Sequence, residues 1–430
     1  MLRILSLRHD VVRPTSLLAP LCLALLAGLA PTGPARADDD DGVVYVGSNI
    51  GSVEGKNSVL AFRRDRHGQL TALGEFPTGG TGVHPTADLT LANLGPFDSD
   101  QCLILDHDRD RVFYPNSGSD TIAVFDVRRD GRLEAVKGSP FPSGGINPVS
   151  VGLARHGLLV VANKDYDLGR GDFDPTQQGD YTTMRVTPHG KLIRVPHATV
   201  PAGAFDGVGP GRPTPTQALT SPDGRLAFDA NFFGLHVRSF RILANGRLAP
   251  ADSQTIPPPG GTNPLGLAIP LGLQVHPTLN VLYVGFVLDQ AMGVYTYDAD
   301  GKLTFVRAVL NVGAGPCWFL SNAAGDRLFV SNNFENSIAV FDISDPLNPA
   351  KLATTTLHQG PSNAAPFQIA LDRGERFLHV VTQRATAAQN ELTANALSVL
   401  AVARDGTLSE TAFVPIPSTT GDRPQGVAAR

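Results

Sequence analysis

The sequence predicts an all-β fold, a seven-bladed β-propeller with four-stranded blades, on three observations. Seven near-equal repeats fill the chain, Gly and Pro are abundant, and the two ends of the repeat series complement one another. The 45 Gly and 34 Pro make up about 18% of 430 residues, against roughly 12% on average, so turns are dense and long helices disfavoured. A hydrophobic content of 42% suffices for a core and argues against disorder. The formal charge of −5 argues against a nucleic-acid partner, which favours a basic surface.

The first 37 residues stand apart from the repeats. Arg3, Arg8 and Arg13 precede an apolar stretch from Leu17 to Ala30, and Ala35 and Ala37 are small residues in cleavage-site spacing. This is the order of a secretory signal peptide. The 14-residue apolar stretch is short for a bilayer span, which needs about 20 residues. Residues 1–37 are therefore expected to be removed after Ala37. The product, residues 38–430, is expected to be periplasmic or secreted and not to insert into a membrane. Cys102 and Cys317 remain, and the repeats place them too far apart for a disulfide; both are expected to be buried thiols.

Within the repeats, a β-rich run is followed by a second one, a Gly-x-Leu turn, a further strand and a Pro-containing link. The turn leucine is Leu70, Leu133, Leu192, Leu248, Leu303, Leu352 and Leu408, at spacings of 63, 59, 56, 55, 49 and 56. Unit two reads RVFYPNSGSDTIAVFDVRRDGRLEAV from Arg111 to Val136, with β-branched and aromatic runs on either side of the turn formers from Asn116 to Asp120. Unit six repeats it from Arg327 to Ser344. An earlier strand follows each Pro link: His84-Pro85, Asn147-Pro148, Pro215-Thr216, Asn263-Pro264, Gly315-Pro316, Ala365-Pro366 and Arg423-Pro424. The mature chain opens on a second strand, Val43 to Val46, and closes on a first strand after Arg423. The C-terminal strand is thus expected to close the ring as the inner strand of blade one, leaving no open edge. A closed ring needs no partner to fold, so a monomer is expected.

The runs Asn336 to Asp342 and Ser119 to Asp126, with the Ser-Pro-Asp-Gly turn at 221–224, resemble two propeller groups. One is the 6-phosphogluconolactonase-like seven-bladed family, and the other is the YVTN-type surface and periplasmic repeats. The first resemblance implies hydrolysis or formation of a sugar or carboxylic lactone at the central cavity. That family's polar signatures would fall at 147–150, 214–217 and 231–232, where this chain has Asn-Pro-Val-Ser, Thr-Pro-Thr-Gln and Asn-Phe. The alternative is a non-catalytic exported propeller that binds a ligand or protein, which the Asn-rich, YVTN-like turns suit.

A propeller pocket collects one or two side chains per blade around one mouth of the channel. His84 qualifies as a general base, because its ordinary pKa lies near neutrality, and Asp165 as a second candidate. Arg212 and Arg423 suit a substrate carboxylate or phosphate. Asn147, Asn231 and Asn333 supply polar contacts from links and turns, although Asn at turns also serves its own backbone. Trp318, the single tryptophan, is placed to stack on a ligand ring or to pack in the core. Asp165, Asp167, Asp172 and Asp174 form a hard-oxygen cluster in a Gly-containing loop that suits Ca²⁺, though without EF-hand spacing. One tryptophan in seven units excludes the Trp-rich docking repeats of quinoprotein propellers. No Cys-x-x-Cys-His, Gly-x-Ser-x-Gly, P-loop or zinc-ligand spacing occurs.

Overall fold

In the computed structural model, each Gly-x-Leu turn opens an outer strand and each β-rich run before it forms a ladder. The structure describes residues 41–83, 101–165, 179–203, 214–232, 234–256, 269–360, 363–384, 389–416 and 422–430. They form seven antiparallel sheets, each running inner, second, third, outer strand, in one unit spanning Asp40–Arg430. Blade three shows the plan: inner strand Pro148–Ala154, second Leu158–Asn163, third Asp180–Val186 and outer Leu192–Arg194. In blades two and three the outer edge is completed by a short second piece, Phe141–Pro142 and Val200–Pro201, so these sheets have five strands. Six of the seven turn leucines open an outer strand, and Leu352 is the third residue of its strand, Ala350–Thr356.

Four inner strands begin later than their Pro links predict. Blade two's starts at Ile104, blade four's at Leu219, blade five's at Pro270 and the closing strand at Val427. The links His84-Pro85 and Asn263-Pro264 fall outside the described residues. The longer connections displace the strands without changing their order.

Burial explains why the blades stack. Second and third strands are apolar on both faces, since each blade packs against two neighbours. One apolar cluster fills each of the seven seams between adjacent blades. Near the axis the inner strands approach so closely that side chains are excluded. A Cβ at Gly152 would collide with the Ala218 carbonyl, and one at Gly272, where φ is +64°, with that of Cys317.

The ring closes as the chain ends predict. Val427–Ala429 pairs antiparallel with Gly42–Gly47, Val44 facing Ala429 and Val46 facing Val427. Two polar contacts secure this join. The Asp422 carboxylate accepts Gly51 N at 2.8 Å, Ser52 N at 2.6 Å and Ser52 Oγ at 2.9 Å. Arg430 Nη2 reaches Asp110 Oδ2 at 3.0 Å.

Candidate functional site

Strand alternation puts the starts of the inner strands and the ends of the second strands at one mouth, the upper one. There the polar groups fall into two walls. On the side of blades two and three, Asn147 takes a left-handed turn (φ +54°), donates its N–H to Asp120 Oδ1 at 2.7 Å, and accepts Lys164 N at 2.8 Å. Asp165 N donates to Ile146 O at 3.1 Å, so Asn147, Lys164 and Asp165 sit together. The Lys164 side chain is among the largest fully buried ones. A buried ammonium retains its charge only where acceptors or anions surround it.

The opposite wall is aromatic and basic. Trp318, at the start of inner strand Pro316–Ser321, lies 4.3 Å from Phe367 between ring centroids, and the Arg423 guanidinium lies over the same Phe367 ring at 5.9 Å. Arg423 Nε donates to Gln383 Oε1 at 3.0 Å, at the end of second strand Phe377–Gln383. Asn333 Nδ2 donates to Pro366 O at 3.4 Å, beside Phe367. Trp318, Phe367, Cys317 and Ile269 belong to an eighth apolar cluster that runs across blades four to seven beneath this wall.

Below the mouth, amide side chains tie the inner strands together. Gln217 donates to Gln101 Oε1 and to Leu273 O, both at 3.0 Å, and accepts Leu273 N at 2.7 Å. Cys102 Sγ donates to Val149 O at 2.9 Å and accepts Gln368 Nε2 at 3.0 Å. Cys102 and Cys317 are both buried and form no disulfide.

The sequence-expected residues therefore divide into groups. Arg423, Trp318 and Asn333 meet on one wall, and Asn147 and Asp165 on the other. Asn231 stands alone: its Oδ1 accepts Thr214 N at 2.7 Å and Gly234 N at 2.9 Å, and its Nδ2 donates to Ala202 O at 3.2 Å. Those three bonds make it a clamp on the turn after its strand. His84, Arg212, Asp167, Asp172 and Asp174 lie outside the described residues. Among the described residues no three His, Cys, Asp or Glu side chains are grouped as metal ligands.

Two acids near this mouth were not singled out from the sequence. Asp180, bonded by Asn163 Nδ2 at 2.8 Å, is pushed up to about 6 by burial, against the pull of that bond and of Arg194. Asp229 is wholly buried in blade four, where Thr216 N donates to its Oδ1 at 3.3 Å. Burial pushes its carboxyl up to about 7, although the Tyr181 hydroxyl, the Arg238 charge and backbone N–H groups act the other way. One signal marks Asp229 in the sequence. At the third residue from the end of the second strand, the other blades carry Tyr45, Tyr114, Val161, Val284, Val330 and Val381.

Known proteins show the same architecture. No curated protein matches the chain in sequence. Solved structures match in fold: a candidate 6-phosphogluconolactonase from Bacteroides uniformis has a TM-score of 0.67 at 17% identity, covering 91% of this chain and 100% of that one. The periplasmic gluconolactonase of Pseudomonas aeruginosa has a TM-score of 0.67 at 16% identity, covering 90% of this chain and 99% of that one. A protein from Lactobacillus plantarum has a TM-score of 0.65 at 17% identity, covering 91% and 99%. The family model "Lactonase, 7-bladed beta-propeller" matches residues 204–427, more than half of the sequence. The chain belongs to the seven-bladed β-propeller lactonase family.

Proposed function

We propose that this protein is an exported lactone hydrolase working at the upper mouth of the propeller. The observation that carries the reading is the buried Arg423 guanidinium over the Phe367 ring of the Trp318–Phe367 pair, with the buried Lys164 on the facing wall, in a lactonase-family fold. Hydrolysis of a lactone needs a water deprotonated as it attacks the ester carbonyl and donors for the oxyanion that develops. Asp165 and His84 are the proposed bases. Lys164 and the side-chain amide of Asn147 are the proposed oxyanion donors, while Arg423, Arg212 and Asn333 hold the polar substituents of the ring; Trp318 and Phe367, 1% and 2% exposed, pack together and support Arg423. Asn231 is left out of the proposed site because backbone groups occupy it. Export rests on the N-terminal sequence pattern, and the periplasmic setting of the Pseudomonas aeruginosa neighbour agrees with it.

The test is a pH-stat assay of the mature protein on plain and phosphorylated aldonolactones and on muconolactones, with Arg423→Ala, Asp165→Asn and His84→Ala run alongside. Turnover that falls in Arg423→Ala through KM and in Asp165→Asn or His84→Ala through kcat supports the reading. Turnover unchanged in all three discards the residue roles. No turnover on any lactone turns the reading to a ligand-binding propeller, as the altered family signatures at 147–150, 214–217 and 231–232 would have it.

A further inference from the structure

The lower face, formed by the turns opposite the mouth, carries an uneven charge. In blades three and four its turns and adjoining strand ends hold Arg155, Arg185, Lys191, Arg225, Arg241 and Arg247 against one acid, Asp223, in a chain of formal charge −5. The corresponding segments of blades five and six hold Asp298, Asp300, Asp326, Asp342 and Asp345 against Lys302, Arg327 and Lys351. All six cations of blades three and four are exposed. Among the described residues only Arg225 and Arg241 make ion pairs, with Asp223 at 3.6 Å and Asp300 at 3.7 Å.

Between blades three and four this face is indented by a cleft of about 210 Å³. Arg155, His156 and Arg185 line it together with the buried Leu158 and Ile242 and the exposed Leu243, and no carboxylate lines it. Arg185 Nη2 donates to Asn245 O at 2.9 Å, which holds the guanidinium on the rim. The cleft is smaller than the roughly 300–1,000 Å³ of ordinary ligand pockets, and suits one anionic head group. Two exposed apolar side chains adjoin it: Leu243, 39% exposed, lines the cleft, and Ile193, 48% exposed, faces Arg185 across the strand pair.

We propose that the lower face of blades three and four docks on an anionic phospholipid surface, with one lipid phosphate seated between Arg155, His156 and Arg185. Cations spread over several turns of one face match a charged plane better than a single small anion, and each adds attraction to anionic lipid. Leu243 and Ile193 enter the head-group layer, as apolar residues beside a basic surface do. The attachment is peripheral, and it leaves the upper mouth open to solvent.

Sedimentation with vesicles tests it on the mature protein, comparing phosphatidylglycerol-containing with pure phosphatidylcholine vesicles at low and high salt. Binding is expected only to the anionic vesicles and only at low salt. Arg155→Ala combined with Arg185→Ala is expected to weaken it about 25-fold, and Arg404→Ala, on a lower turn of blade seven, to leave it unchanged. Both arginines are exposed, so the variants should fold, which matching circular dichroism melts check. No binding to anionic vesicles, or equal binding by the double variant, overturns the proposal. Capture on polyglutamate beads as strong as on vesicles overturns the lipid assignment in favour of an acidic polypeptide.

Discussion

Replacing Asp229 by Asn should stabilise the protein at alkaline pH and do little at acidic pH. The carboxyl is wholly buried between blades three and four and pushed up to about 7, whereas in the unfolded chain it titrates at the ordinary 3.8. Between those values the unfolded state gives up the proton and the folded state keeps it. The stability associated with the protonated carboxyl is therefore complete below about pH 4 and lost as pH rises through about 7. A displacement of about three units corresponds to roughly 4 kcal/mol, undiminished by solvent because the group is inaccessible. Asn has the same shape, carries no charge, and keeps an oxygen for Thr216 N. The assay is urea unfolding of wild type and Asp229→Asn at pH 5 and pH 8.5. The variant should gain roughly 4 kcal/mol at the higher pH and less than half of that at the lower. An equal change at both pH values, or a loss at pH 8.5, would refute the argument that burial of this carboxyl sets the alkaline limit of stability.

Other substitutions probe the acid limit, the mouth and the closure. The buried His379 imidazole, held down at about 4 by desolvation, keeps the folded state neutral while the unfolded chain takes up a proton below 6.5. Stability should therefore fall as pH drops from about 6.5 to 4, and His379→Gln should flatten that limb in the same titration. Trp318→Ala removes a side chain 1% exposed and stacked on Phe367, and should cost about 3–5 kcal/mol in urea unfolding, whereas Trp318→Phe should cost much less. Asp422→Ala removes the acceptor of three hydrogen bonds at the ring join, should cost about 3 kcal/mol, and should admit protease near Gly51.

The repeat period made the fold legible, because a Gly-x-Leu turn has a local cause. Gly takes the positive φ of a tight turn, as Gly131, Gly246 and Gly301 do, and the following Leu is buried in the seam. Inner strands were less legible, since the lengths of the connections to Ile104 and Pro270 are not fixed by any local rule. The site was least legible. Its members come from different blades and meet only through tertiary packing, as Trp318, Phe367 and Arg423 do. Asn231 shows the converse: a polar residue at the right place in the repeat that spends its capacity on Thr214, Gly234 and Ala202. Asp229 looked like one charge among many until the second strands were set side by side.

The pairing of Tyr45 with Ala428 has a consequence for how the protein is made. Blade one, whose second strand precedes its inner strand by about 380 residues, lacks that strand until Val427–Ala429 arrives, so its seam with blade seven forms late. Contacts between residues so distant in the chain are slow to form. A nascent chain thus remains an open arc of blades and becomes a ring only when Val427–Ala429 is delivered. Loss of even the last four residues would leave every other blade intact in sequence and the circle without its clasp.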